Sequence, residues 1–342
     1  MNDIVLSVQN LKISTRSLNE EHFIIDGVSF DVKFGNVLGI VGESGSGKSI
    51  TMLGIMGLLS SDGARIVQGE ILLEGQKLYS EDFNVFKPSI RGIKMSMIFQ
   101  EPMSSLNPVI TVGAQIASSI EQAKKELNKK QLRQEVVSLL ELVGIADPNR
   151  RFDQYPHEYS GGMRQRAMIA MAIANKPCLL IADEPTTALD VTVQAQIMEV
   201  LREVRARTGA AMVLVTHDLG LVAENVDHVL VMYGGQIVEK GTVFDVFERP
   251  THPYTISLLK SIPDIERKSR TLYAVPGQPP SIYDRPKGCV FHDRCELSGG
   301  RLVCKQEKPT QIMVTESHAV ACHFYDEAHL WRSLFNNIKP GA

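Results

Sequence analysis

Apolar and polar positions alternate through the first forty residues, with Val5, Leu6 and Val8 followed by Val28, Phe30 and Val32. A two-residue period of this kind predicts strands with one buried face. Unbroken apolar runs follow at Val37-Leu38-Gly39-Ile40-Val41, Leu179-Leu180-Ile181-Ala182 and Ala211-Met212-Val213-Leu214-Val215. Such runs suit strands covered on both faces. Further strand is expected from Gly69 to Leu73 and from Met95 to Gln100. The stretch 113–145 has a helical period, with apolar residues at 132, 136, 139, 140 and 143 on a background rich in Glu, Lys and Gln. Helix resumes after Ser160 and again from about 192 to 207. The pattern predicts an α/β core with a helical subdomain inserted at about 105–170. Past Gly241 the alternation fades. Arg249-Pro250-Thr251-His252-Pro253 and the prolines at 276, 279, 280 and 286 mark an irregular, linker-like region. Two units are expected, 1–250 and 251–342, a division that 342 residues allow.

Charge narrows the function classes. Thirty-six Lys and Arg stand against thirty-nine Asp and Glu, a net charge of −3, and no basic cluster argues for a nucleic-acid partner. The start, Met1-Asn2-Asp3-Ile4-Val5, does not read as a secretion signal. No apolar run approaches the roughly 20 residues of a membrane helix. Membrane association is therefore expected to come through partners, with the chain on the cytoplasmic side.

Chemistry is concentrated in three phrases. Gly42-Glu43-Ser44-Gly45-Ser46-Gly47-Lys48-Ser49 follows one apolar run and precedes a helical pattern, which is the strand, loop and helix context of a phosphate-binding loop. Its glycines free backbone N–H groups to face phosphate oxygens at a helix start. Lys48 would reach the β- and γ-phosphates of ATP, and Ser49 would ligate Mg²⁺. The run ending at Asp183 delivers a carboxylate to the C-terminal sheet edge as the outer partner of Mg²⁺. Glu184, aimed to the other side of the strand, would orient or deprotonate the attacking water. The third phrase is Ser160-Gly161-Gly162-Met163-Arg164-Gln165-Arg166.

With Gln100, Ala188-Leu189-Asp190 and His217 in the same order, these residues resemble ATP-binding cassette (ABC) ATPases over about residues 1–245. The resemblance implies a P-loop ABC core with antiparallel β and α-helical subdomains. It implies that Gln100 reaches Mg²⁺ and the water, and that His217 holds the γ-phosphate and orders Glu184. Ser160, Gly161 and Gly162 would form a second anion site facing the γ-phosphate of an opposite cassette, with Asp190 in the contact between the two. Gln100-Glu101-Pro102-Met103-Ser104-Ser105-Leu106-Asn107-Pro108, Met163 and the tail from His252-Pro253-Tyr254 to Gly288-Cys289 are similar to the D-type subunit of dipeptide and oligopeptide importers. That resemblance implies an F-type ATPase partner, two membrane permease subunits, an external substrate-binding protein, and a groove after Gln100 for a permease coupling helix. Where related cassettes stack adenine on an aromatic side chain, Ser14-Thr15-Arg16 has none; Phe23, with His22, is the substitute, or Phe23 is core. A soluble ABC-type ATPase acting on nucleic acid or ribosomes is the alternative; a P-loop kinase leaves Ser160-Gly161-Gly162 and His217 unexplained.

Four of the five cysteines, Cys289, Cys295, Cys304 and Cys322, crowd the last fifth of the chain in the spacing C-x5-C-x8-C-x17-C. A reducing compartment disfavours disulfides. Four thiolates suit an iron–sulfur cluster or zinc, although structural zinc usually takes tighter pairs, and unligated thiols are the third reading. The importer resemblance implies a [4Fe-4S] cluster. His292, His318 and His323 are expected outside the ligand set, and Cys178 as a small core residue.

Overall fold

The computed structural model describes residues 3–17, 20–59, 63–79, 83, 85–100, 105–123, 126–187, 189–261 and 275–328. Glu101, Pro102, Met103, Ser104 and Ala188, all within the motifs above, lie outside the described residues.

The alternating start forms two long strands, β1 (Ile4–Ser17) and β2 (Glu20–Lys33), which pair antiparallel. With β4 (Ala64–Leu73) and β5 (Gln76–Lys77) they make a four-stranded sheet in the order β2-β1-β4-β5. The unbroken apolar runs form the parallel part of a second sheet. These are β3 (Val37–Val41), β6 (Met95–Ile98), β7 (Leu179–Asp183) and β8 (Ala211–Val215), joined by β9 (His228–Tyr233) and β10 (Gln236–Thr242). β3 lies between β8 and β9, with Leu38 opposite Val213 and Gly39 opposite Val229, while β7 sets Ile181 opposite Val213. Every residue of β3, β7 and β8 is buried. The two faces feed separate cores: Val37, Leu180 and Leu214 on one side, Leu38, Ile181 and Val213 on the other. The second core also takes Met52 and Ile55 from α1 (Lys48–Ile55).

The helical stretch 113–145 is two helices, α2 (Val112–Ala123) and α3 (Lys129–Leu142). Asn128 starts the second with a reciprocal cap. Its side chain accepts from the N–H groups of Lys130 and Gln131, and the Gln131 side chain accepts from the N–H of Asn128. After the single turn α4 (Pro148–Arg151), Ser160 caps α5 (Gly161–Ile173), whose Ala167, Met168, Ile169 and Ile173 enter the first core.

The region past Gly241 is less irregular than its composition suggests. Helices α6 (Val191–Thr208) and α7 (Leu219–Asn225) precede it, and α8 (Val243–Glu248) and α9 (Pro253–Lys260) lie within it. Two short strands, β11 (Ile312–Met313) and β12 (Ala319–Val320), extend the second sheet to the order β11-β12-β10-β9-β3-β8-β7-β6, with Val320 opposite Glu239. Val290 and Phe291 belong to the first core.

Glu239 ties this junction. It is fully buried and accepts from the Thr251 N–H at 2.6 Å, the Thr251 hydroxyl at 2.7 Å, the His252 N–H at 2.9 Å and the His318 ring at 2.7 Å. Burial alone would push its pKa up, but the bonds from His318, Thr251 and His252 outweigh that and hold it below the ordinary glutamate value. His318, expected outside the cysteine ligand set, is a buried structural partner of Glu239. Glu239→Leu should cost about 3 kcal/mol in urea unfolding because it strands those donors; a loss below about 1 kcal/mol would rule out this role.

Candidate functional site

The phosphate loop runs from the end of β3 to the start of α1 and is pressed between β2 and β9. A Cβ on Gly47, whose φ is +101°, would fall 2.5 Å from Ile25 Cδ1, and one on Gly42 would fall 2.2 Å from the Met232 carbonyl oxygen. At Gly42 backbone space and backbone angle both require glycine, whereas at Gly47 the neighbour is a movable side-chain end and the positive φ is what favours glycine. Lys48 Nζ donates to the carbonyls of Gly42 at 2.8 Å and Glu43 at 3.0 Å, so it lies folded along the loop. Burial lowers its pKa, opposed by the charges of Glu184, Asp183 and Glu43.

The parallel register brings β7 beside this loop. The Ser49 hydroxyl donates to Asp183 Oδ1 at 3.0 Å, pairing the two residues expected to serve Mg²⁺. Burial raises the Asp183 pKa, with the Ser49 bond pulling the other way. A divalent cation here would remove that penalty on the charged form.

Glu184 is not aimed by strand alternation. β7 ends at Asp183, and Glu184 takes φ +47°, a left-handed value uncommon outside glycine, with its N–H bonded to the Val215 carbonyl at 2.8 Å. Its carboxylate accepts from Gln100 Nε2 at 2.9 Å and from the Thr187 hydroxyl at 2.8 Å, and lies 3.3 Å from His217 Nδ1. Gln100, Glu184 and His217, far apart in sequence, thus meet at the C-terminal ends of β6, β7 and β8. Thr187 was not singled out from the sequence; its place in a turn three residues after a catalytic candidate is the available signal.

Ser160, Gly161 and Gly162 stand apart from this group. The Ser160 hydroxyl accepts from the Met163 N–H at 3.3 Å and starts α5, and among the described residues it makes no hydrogen bond to Gly42–Ser49. Asp190 caps α6 by accepting from the Val193 N–H at 3.0 Å. His22 meets Tyr283 edge-on at 4.9 Å between ring centres, and Phe23 lies half-buried beneath Lys12.

The four clustered cysteines line one cavity together with His252 and Phe291. Burial pushes the thiol of Cys289 up to about 11 and those of Cys295 and Cys322 up to about 12, and it also raises Cys304. Among the described residues no group of three or more His, Cys, Asp or Glu is arranged to hold a metal ion. That geometry alone establishes neither the zinc alternative nor the expected iron–sulfur cluster. Cys178 donates to the Lys94 carbonyl at 3.2 Å beside the second core.

Residues 25–187 match the family model described as "ABC transporter", and residues 238–301 match "Oligopeptide/dipeptide transporter, C-terminal region". The chain is 46% identical over 323 residues to the dipeptide transport ATP-binding protein DppD of Bacillus subtilis, covering 94% of this chain and 95% of that one. The chain belongs to the ABC transporter ATPase family. DppD of Escherichia coli is 45% identical, covering 94% of this chain and 96% of its own. The oligopeptide transport ATP-binding protein AppD of Bacillus subtilis is 46% identical, covering 94% and 97%. Among solved structures, the ATP-binding cassette MJ0796, a dimer in a post-hydrolysis state with ADP and Pi, overlays with a TM-score of 0.60 at 26% identity, covering 70% of this chain and 98% of its own. CbiO1 of Clostridium perfringens overlays equally, at 0.60 and 26%, covering 72% and 92%. This ABC ATPase carries its transporter-type C-terminal region on the same sheet.

The Thr187 bond is the most direct test of the Glu184 arrangement. Thr187→Val should lower ATP turnover about tenfold, the effect of losing one hydrogen bond to a charged group, while ATP affinity stays within about twofold; unchanged turnover would remove Thr187 from the site.

Proposed function

We propose that this ABC ATPase powers import of di- or oligopeptides. The observation carrying the ATPase chemistry is the meeting of Lys48, the Ser49–Asp183 pair and the clamped Glu184 along one sheet edge. The peptide class rests on the matched C-terminal region and on relatives named for dipeptide and oligopeptide transport. Those relatives favour transport over action on nucleic acid or ribosomes.

In this reading Gly42–Ser49 cradles the triphosphate, Lys48 leaves its carbonyl partners for the β- and γ-phosphates, and Ser49, Asp183 and Gln100 serve Mg²⁺. Glu184 orients water for in-line attack on the γ-phosphorus and takes up its proton. The bond to the β,γ-bridging oxygen breaks, giving ADP and phosphate, while His217 steadies the γ-phosphate and Glu184 together. Ser160, Gly161 and Gly162 act on the nucleotide of a second cassette, an F-type chain, and Asp190 joins the contact between the two. The isolated chain is then a poor ATPase. Residues 1–250 form the ATPase unit and 251–342 the transporter-type region. The cassettes lie peripherally at the cytoplasmic face beneath two permease subunits supplied by an external binding protein; no described helix is long and apolar enough to cross a membrane. The groove lined by Met56, Leu58, Met97, Phe99, Met168 and Met171 has the apolar character a coupling helix needs. His22 or Phe23 is the adenine contact.

The test is ATP turnover by the lipid-embedded complex co-purified with this chain, its binding protein loaded with dipeptide, longer peptide, glutathione or nickel in turn. Stimulation by peptide is expected, and turnover indifferent to every ligand would defeat the importer reading. Glu184→Gln in the same complex should keep ATP bound and the cassettes closed, with turnover down at least a hundredfold; near-normal turnover would refute the role of Glu184.

We also propose that Cys289, Cys295, Cys304 and Cys322 hold a [4Fe-4S] cluster as a structural staple. Their convergence on one cavity supports this, as does a buried polar atom: His252 Nδ1 accepts from the Tyr254 N–H at 3.0 Å, leaving a proton on an Nε2 that makes no hydrogen bond among the described residues. Sulfur ligands would give that N–H an acceptor. Protein purified without oxygen should contain about four irons per chain, the content of one cluster, and Cys304→Ser should lose them; absence of iron would end the proposal.

A further inference from the structure

Glu43, the second residue of the phosphate loop, is gripped from the C-terminal region at two points. Its N–H donates to the Tyr254 hydroxyl at 2.8 Å, and its carboxylate receives Arg294 Nη1 at 2.6 Å and Nη2 at 3.1 Å. Its carbonyl is the one that Lys48 Nζ binds at 3.0 Å. A single residue therefore connects the C-terminal region to the lysine that must meet the phosphates.

Arg294 is placed to transmit position. The remaining N–H groups of its guanidinium go to the Pro276 carbonyl at 2.7 Å, the Val275 carbonyl at 3.0 Å and the Tyr233 hydroxyl at 3.1 Å, so all five donors are used. Its side chain is 5% exposed. Its guanidinium lies 5.7 Å from the centre of the Tyr233 ring, which packs with Tyr254 and Phe291 at centre distances of 4.6 to 5.3 Å. A planar, bidentate arginine in a fixed aromatic frame holds a carboxylate in one orientation. Arg294 also directly precedes Cys295, so this grip and the cysteine-lined cavity belong to one short segment.

We propose that Arg294 is a positioning residue for ATP binding, acting through Glu43 so that the C-terminal region holds the phosphate loop in its nucleotide-ready shape. The proposal rests on Gly42–Ser49 being the ATP site. It requires that the Arg294 effect pass through the Glu43 carboxylate and not merely through general folding of the tail.

The experiment is titration of the full-length chain with a fluorescent ATP analogue, accompanied by thermal unfolding, for Arg294→Met, Arg294→Lys, Glu43→Gln and the Glu43→Gln/Arg294→Met double variant. Arg294→Met and Glu43→Gln should each weaken nucleotide binding about tenfold, the scale of a partly buried charge-assisted contact. The double variant should bind no more weakly than either single one, because both remove the same connection. Arg294→Lys should recover only part of the affinity, since an ammonium cannot grip a carboxylate bidentately. Multiplying losses, or a lowered unfolding temperature with wild-type affinity in Arg294→Met, would overturn the proposal and leave Arg294 a tail staple. Lys48→Ala distinguishes the underlying reading: if it binds the analogue as well as wild type, the loop is not the ATP site at all.

Discussion

Parallel pairing around β3 is the constraint on which the rest of this molecule hangs. Because β3 is flanked by β8 and β9, and β7 follows β8 in register, the C-terminal ends of these strands fall along one edge. Backbone pairing at that edge, not long side-chain reach, brings together Lys48, Asp183, Glu184 and His217. The cost of putting a lysine and two acids there is offset mutually: burial acts against Lys48 and Asp183 alike, and each lies in the field of the other. A parallel sheet needs cover on both faces, which the two cores provide.

How much of this was readable in the chain follows the range of the interactions involved. The loop Gly42–Ser49 and the strand ending at Asp183 were legible because sequence neighbours do the work. The apolar runs likewise announced β3, β7 and β8. The break at Asn128 was hidden inside a continuous helical period, since a cap adds a local hydrogen-bond exchange without disturbing the spacing of Leu132 and Val136. The aim of Glu184 was misread because alternation holds only while the strand continues, and the chain turns left-handed at that residue. Arg294 gave no signal, being one arginine among many whose carboxylate partner lies 251 positions away. The same applies to Glu239, which looks like a surface residue of a strand until His318 and the turn at Thr251 close over it.

The C-terminal region shows why composition misleads about order. Its prolines and glycines suggest a loose attachment, yet it contributes Phe291 to the main core, Tyr254 and Arg294 to the phosphate loop, and two strands to the sheet. Its regular elements are short, so its order leans on contacts to the ATPase unit, made by side chains and by the backbone pairing of β12 with β10. A segment built this way has little reason to hold its shape once those contacts are gone.

The place of β12 has a further meaning. β10 would otherwise end the sheet with a row of backbone groups open to any extended peptide, and β12 pairs with it at Glu239 and Lys240. β11 then forms the outer edge, and a strand of two residues offers an incoming chain little to pair with. The tail thus occupies part of the β10 margin with strand from the same chain and leaves the sheet a short outer edge, one of the devices by which β-proteins discourage edge-to-edge pairing.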